Sequence, residues 1–327
     1  MVVPALSMAR RKTKKLKYTK MEMRANLKWT GASDTSTPYS DSVYIDVAQV
    51  LSVQNRKLVR QGQMFRIKNF RCYTNDVDPV KQMMKVGRIN MSWPTFNAYK
   101  KARALWHKHN ALATENLSPA VYPKYHDFKV FMNHSHYDNV NNGGDANLLP
   151  VDFEDNAFPT GEWVYSKWHD SGASSDEYYG HMCGAHGGST GSWSSIGIIQ
   201  AYAESRPVPQ VDATASDDLN LVGSMESPWG RLFNDDDQST DVYDDLLADN
   251  DSPPYSRASY PGGATAGEGQ SVFYGRLPSV NQPSGTTGRV PTFDAPLGLI
   301  RLEIDSESSL VNSAIHVEFD VEILGDM

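Results

Sequence analysis

The chain has only two cysteines in 327 residues, Cys72 and Cys183, and neither belongs to a Cys-x-x-Cys pair. That excludes a disulfide framework and the common zinc ribbons, leaving two thiols as the default reading. No apolar run reaches the roughly 18 residues of a membrane-spanning helix. The opening Met1-Val2-Val3-Pro4-Ala5-Leu6 is too short for a secretory signal and precedes its positive charges rather than following them. The expectation is a protein of the cytosol or nucleus with no membrane partner. A P-loop, a dinucleotide fingerprint and His-Glu-x-x-His are all missing, and the carboxylates show no spacing that picks out an acid/base pair. No cofactor is implied, and the sequence offers no credible enzyme.

Three weaker motifs compete with bland readings. Gly187-Gly188-Ser189-Thr190-Gly191 fits the G-x-S-x-G nucleophile elbow. That elbow needs a strand before the serine and a helix after it, whereas here a strand is expected to follow, so a flexible Gly/Ser loop is the better account. His181, Cys183 and His186 are three imaginable zinc ligands, but their spacing matches no finger, and no metal site is assigned. The acidic run from Asp235 to Asp251 offers hard ligands for calcium, yet lacks the glycine that an EF-hand loop requires, and reads as a solvated loop.

Negative charge is scarce where positive charge is dense. The first 110 residues hold 22 of the chain's 31 Lys and Arg but six of its 39 Asp and Glu, so they carry about +16 within a net charge of −8. The densest part is Arg10, Arg11, Lys12, Lys14, Lys15, Lys17, Lys20, Arg24 and Lys28, against the single anion Glu22. Such a segment repels itself, has little to bury, and releases condensed counterions when it meets phosphates. Residues 1–28 are therefore expected to be a disordered nucleic-acid-binding arm. A solvated tail or a nuclear-localisation signal is the alternative.

Residues 29–327 read as one large β domain. Strands are expected over Ser42–Leu51, Gln63–Cys72, Val86–Trp93, Phe128–Met132, Thr160–Trp168, Ser195–Ala203, Leu297–Ile304 and Ala314–Ile323. In the second, Met64, Phe65, Ile67 and Phe70 cannot all share a face at period two, which predicts a bulge; Arg66, Lys68 and Arg71 suggest one basic face. In the last, Ile315, Val317, Phe319, Val321 and Ile323 alternate with polar residues, as a half-buried antiparallel strand requires. One amphipathic helix is predicted over Thr95–Glu115, buried through Tyr99, Ala102, Leu105, Trp106, His109, Leu112 and Ala113. Its other face, Lys100, Lys101, Arg103 and Lys108, suits either phosphate contact or solvent. Long loops are expected over about 133–160 and 204–290. Together these give an all-β fold: a single jelly roll, a two-sheet antiparallel sandwich with long loops and one inserted helix.

The basic arm, the Ser42–Leu51 segment, Asn55-Arg56-Lys57-Leu58-Val59-Arg60-Gln61-Gly62, and Trp93-Pro94-Thr95-Phe96-Asn97-Ala98-Tyr99 leading to Trp106 resemble the capsid proteins of small circular Rep-encoding single-stranded DNA viruses. Pro296-Leu297-Gly298 to Leu324 resembles their closing strands. The resemblance covers residues 9–115 and 290–325. It implies a jelly roll, self-assembly of many copies into a small icosahedral shell, an arm projecting inward onto a packaged single-stranded DNA genome, and localisation to the virion after assembly in the host nucleus or cytoplasm. The arm is rich in lysine and short, which keeps an RNA-virus capsid as a variant. A monomeric carbohydrate- or nucleic-acid-binding sandwich, stacking ligand on Trp163, Trp168 and Trp193, is the competing class. A hydrolase built on Ser189 ranks last.

Overall fold

A computed structural model describes residues 23–30, 39–74, 82–114, 125–142, 147–154, 156–159, 161–169, 177–189, 192–205, 260–265, 269–276, 288–306 and 314–327. The protein is mostly β-sheet. Eight strands or strand pairs form two antiparallel sheets: β1 (Met23–Thr30), β2 (Tyr39–Asp46), β3 (Gln63–Thr74), β4 (Gln82–Arg88), and, after a long insertion, β9 (Gln270–Arg276), β10 (Gly288–Arg289) with β11 (Phe293–Pro296), β12 (Leu299–Ser306) and β13 (Ala314–Asp326). The first sheet runs β1-β13-β3, with β10 and β11 both pairing with β3; the second runs β2-β12-β4-β9.

Strand chemistry sets what each face does. On β3 Phe65, Ile67, Phe70 and Cys72 are buried while Arg66, Lys68, Asn69 and Arg71 are not. The phase slip between Ile67 and Phe70 is the expected bulge. It is centred on Asn69, whose φ is +53°, and on β13 the register jumps between Glu318 and Asp320. Val317, Phe319 and Val321 of β13, Val43 and Ile45 of β2, Val86 of β4 and Leu302 of β12 join the β3 residues in one apolar core between the sheets. Burial of that shared face is the main stabilising term.

The described part of the insertion between β4 and β9 folds into a layer of its own. It contains α2 (Trp93–Thr114), α3 (His134–Asn141), α4 (Ile198–Glu204) and a small sheet in which β5 (Lys167–His169), β6 (Glu177–His181), β8 (Ser192–Gly197) and β7 (Gly187–Ser189) lie side by side, β6 parallel to β8. A second apolar core of Phe128, Val130, Met132, Trp168, Met182 and Ile199 joins it to Tyr44, Leu297 and Leu299. Cys72 lies in the first core and Cys183 in the second, both buried, and they form no disulfide.

Several expectations are corrected. One helix was expected and four form among the described residues, the fourth being α1 (Val47–Asn55). The Ser42–Leu51 strand stops at Asp46, because the Asp46 carboxylate caps α1 by accepting from the Ala48 and Gln49 N–H groups. Burial of Val47, Val50, Leu51 and Val53 then overrides the β preference of valine. Ser195–Ala203 likewise becomes strand only to Gly197, after which α4 buries Ile198 and Ile199. Phe128–Met132 is extended and buried, but side chains take part of its backbone bonding: Val130 N–H donates to Gln61 Oε1 and Lys129 N–H to Ser166 Oγ. Thr160–Trp168 reduces to the short β5. The α2 helix matches its predicted span, yet Leu105 and Leu112 are exposed, since burial on that face stops at Trp106. The expected loop at 133–160 holds α3 and the buried Leu148 and Leu149. Most of the 204–290 loop, Asp235–Asp251 included, lies outside the described residues.

Candidate nucleic-acid interface

Of the nine cations assigned to phosphate binding, Arg10, Arg11, Lys12, Lys14, Lys15, Lys17 and Lys20 lie outside the described residues. Arg24 and Lys28 do not belong to an arm. They are in β1, at register positions opposite Asp320 and His316 of β13, and the strand forms because Leu27 is buried in the sandwich core.

Two of the three cations of the sheet's own basic stripe, Arg66 and Lys68, are spent internally. Viewed across the strands, acidic β13 lies between basic β1 and β3: Arg66 is opposite Glu322, Lys68 opposite Asp320 and Arg71 opposite Glu318. Arg66 pairs with Asp294 through Nε at 2.7 Å, and Lys68 Nζ lies 2.5 Å from Glu322. Asn69 donates to Asp320 at 2.6 Å and accepts from Arg289 at 2.9 Å. Cross-strand pairs of opposite charge hold register, and they engage Arg66 and Lys68, while the exposed Arg71 has no ion pair among the described residues. The α2 helix differs. It has no Asp or Glu, and among the described residues Lys100, Lys101, Arg103 and Lys108 form no ion pair. Lys101 donates to Ser205 Oγ and lies 5.9 Å from the Tyr202 ring centre.

Trp163, Trp168 and Trp193, the expected stacking platforms, are engaged within the chain. Trp168 is buried in the insertion core, Trp163 donates its indole N–H to Asp46, and Trp193 packs against Tyr178 and His186.

The insertion is locked to the sandwich by a buried polar chain that sequence patterns do not reveal. Met132 N–H donates to His136 Nδ1, so the ring proton is on Nε2 and goes to Asn147 Oδ1 at 2.6 Å. Asn147 Nδ2 donates to the Tyr165 hydroxyl at 2.6 Å, and that hydroxyl donates to Asp46 Oδ2 at 3.2 Å. Gln61 and Trp163 also donate to Asp46 Oδ2. His136 is stacked on Tyr44 with ring centres 4.3 Å apart. Burial pushes the Asp46 carboxyl up to about 6 despite these donors, and pushes the His136 imidazole down to about 4. His181 falls to about 3, chiefly through burial; its Nε2 is hydrogen-bonded to the Ala185 carbonyl.

Ser189 ends β7, and the next element is strand β8, so the elbow geometry is not formed; the segment is strand rather than loop through Ser189. A different serine has a triad-like setting. Ser195 Oγ is 2.9 Å from His134 Nδ1, and His134 Nε2 is 3.2 Å from Asp138 Oδ2. Ser195 is fully buried, and a Cβ on the facing Gly187 would come within 2.7 Å of its hydroxyl. The set ties α3 to β8 and presents no open face to an acyl carbon. His186 Nδ1 accepts from Gly197 N–H and its Nε2 faces Glu204 at 3.2 Å, so His181, Cys183 and His186 do not converge; among the described residues no three His, Cys, Asp or Glu are grouped to hold a metal ion. Nor is any described helix long and apolar enough to cross a membrane.

Compared with protein-family models, with curated proteins and with solved structures, the chain matches none.

Proposed function

We propose that this protein is a viral capsid protein: a single jelly roll that self-assembles into a small icosahedral shell and packages a single-stranded DNA genome through its basic N-terminal arm. Strand order carries the reading. Counting the eight sandwich positions in chain order, with β10 and β11 as one, the sheets run 1-8-3-6 and 2-7-4-5. That order is what two nested Greek keys produce, and such double-sheet sandwiches recur in viral capsids, lectins and cupins. The arm favours the capsid among these. Its seven cations between Arg10 and Lys20 precede the edge strand, while Arg66 and Lys68 of the adjoining sheet are ion-paired within the chain.

Negative-stain microscopy of the full-length protein, with absorbance at 260 and 280 nm read on the same size-exclusion peak, tests the proposal. Uniform closed particles whose encapsidated nucleic acid is degraded by DNase after disruption, and not by RNase, are the expected result. RNase-sensitive contents would transfer the reading to an RNA capsid. A monomer at every salt concentration and pH would overturn it.

A further inference from the structure

We propose a specific contact between copies of this chain, in which the hairpin tip bearing Phe153 inserts into the basic cleft around Arg88 of the next copy. The inference rests on the assembly reading above and specifies the surfaces that would carry it.

The hairpin is built to display an aromatic side chain. Val151 bridges Ala157, Asp152 N–H donates to the Asn156 carbonyl, and Phe158 N–H donates to the Pro150 carbonyl at 2.9 Å. The Asp152 carboxylate accepts from the Glu154 and Asn156 N–H groups at 2.8 and 2.9 Å, closing the turn. Phe153 at the tip is fully exposed, so the tied turn holds its ring out where a second copy can reach it. Of its described neighbours, Asp152 has its carboxylate turned onto the backbone of the turn, and Glu154 forms no ion pair among the described residues, so an anionic side chain stands beside the apolar point.

The complementary surface lies between the two sheets. A cleft of ≈ 770 Å³ is lined by Arg66, Lys68 and Arg88 together with the apolar Met91 and Phe293, and by Asp294. Arg66 and Lys68 have carboxylate partners, whereas Arg88 donates to the Asp294 carbonyl, Gln270 Oε1 and Met91 Sδ, all neutral acceptors. Its Nε is buried and has no hydrogen-bond partner among the described residues. Three cations of the cleft lining face the single lining carboxylate Asp294, which also acts on Arg88; the Glu154 carboxylate of an incoming hairpin would add a second, and the Phe153 ring would meet Met91.

Position makes the contact intermolecular. The hairpin springs from the β1/β2 side, where Pro150 bridges Leu27, Leu148 N–H donates to the Tyr44 carbonyl, and the Arg56 guanidinium faces the Phe158 ring. The cleft opens at β9 and β11, the opposite edge of both sheets. A knob at one edge and a hole at the other give a head-to-tail interface, the kind that closes into rings when the rotation is right.

Full-length wild-type protein, Phe153→Asp, Arg88→Glu and an equimolar mixture of the two variants are compared by light scattering and microscopy, with circular dichroism to verify folding. Phe153 touches no core, so its substitution is expected to leave the melting curve unchanged and raise the concentration needed for assembly at least about tenfold. Each variant keeps one half of the contact, so the mixture is expected to form dimers that grow no further. Wild-type shells with equally competent Phe153→Asp shells would overturn the contact alone. A mixture that stays monomeric would overturn the pairing of knob with cleft, and a wild-type monomer would overturn both this contact and the capsid reading.

Discussion

Deletion of residues 1–22 is expected to give shells of unchanged size that have lost their nucleic acid. The deletion removes Arg10, Arg11, Lys12, Lys14, Lys15, Lys17 and Lys20 and stops one residue short of β1. Seven phosphate contacts to a single strand correspond to a salt slope of about −5 in log K against log[salt], or roughly a 10³-fold loss of affinity between 50 and 200 mM salt. Wild-type particles assembled at high salt should therefore resemble the truncated ones, with a 260/280 ratio near that of protein alone. Unchanged nucleic-acid content after truncation would remove the arm's assigned role. Extending the deletion to residue 28 is expected to behave quite differently. It takes away most of β1, including the buried Leu27, and uncovers the β13 edge. Loss of that side chain alone costs about 2–5 kcal/mol, and an uncovered edge invites aggregation. A lower melting temperature for the longer deletion, with none for the shorter, separates the arm from the strand.

Replacing Asp46 by Ala is expected to be the most destabilising single change, costing about 3–5 kcal/mol, because it strips the acceptor from several buried donors at once. The Gln61, Trp163 and Tyr165 side chains and the first turn of α1 all lose their partner. The insertion should loosen with them, since Gln61 also bonds Val130 and Tyr165 leads through Asn147 to His136. Denaturant melts measure the loss, and Asp46→Asn, which keeps one carbonyl acceptor, should cost clearly less.

Acid dependence follows from the same residues. Between about pH 6 and pH 4 the unfolded chain protonates His136 and His181, whose folded values lie at about 4 and 3, so both favour unfolding as pH falls. Asp46 acts in the opposite sense, because its folded value of about 6 lets the native state hold a proton that the unfolded chain releases. From these three groups the net uptake on unfolding is about one proton, so their joint contribution to stability should fall with pH in that window, by about 1 kcal/mol per pH unit. In Asp46→Asn the opposing contribution is gone and the slope should steepen to roughly twice that. A wild-type stability that is flat from pH 6 to pH 4 would contradict the buried neutral state of the two histidines.

Patterns of period two were legible in the sequence wherever one face of a strand meets the sandwich core. The Ala314–Ile323 alternation gives β13, and the broken alternation in Gln63–Cys72 locates the Asn69 bulge. The same patterns fail where burial does not alternate. Val47–Leu51 carries strand-forming residues yet folds as a fully buried helix capped by Asp46, and Ile198–Ala203 folds as a helix that buries the adjacent pair Ile198 and Ile199, which a strand would send to opposite faces. Charge was legible as an amount but not as an availability. Arg66 and Lys68 look like a basic face until the register sets acidic β13 alongside them.

The sequence by itself therefore determined the β-rich class, the positive charge of the first 28 residues, the span of α2 and the exposed and buried faces of the last strand, since each depends on composition or on neighbours a few residues apart. Only the tertiary structure decided the order of the strands, the folded insertion, the Asp46–Tyr165–Asn147–His136 chain and the opposite placement of the Phe153 knob and the Arg88 cleft. Those depend on contacts between residues tens to hundreds of positions apart, and local periodicity carries no information about which distant groups will meet.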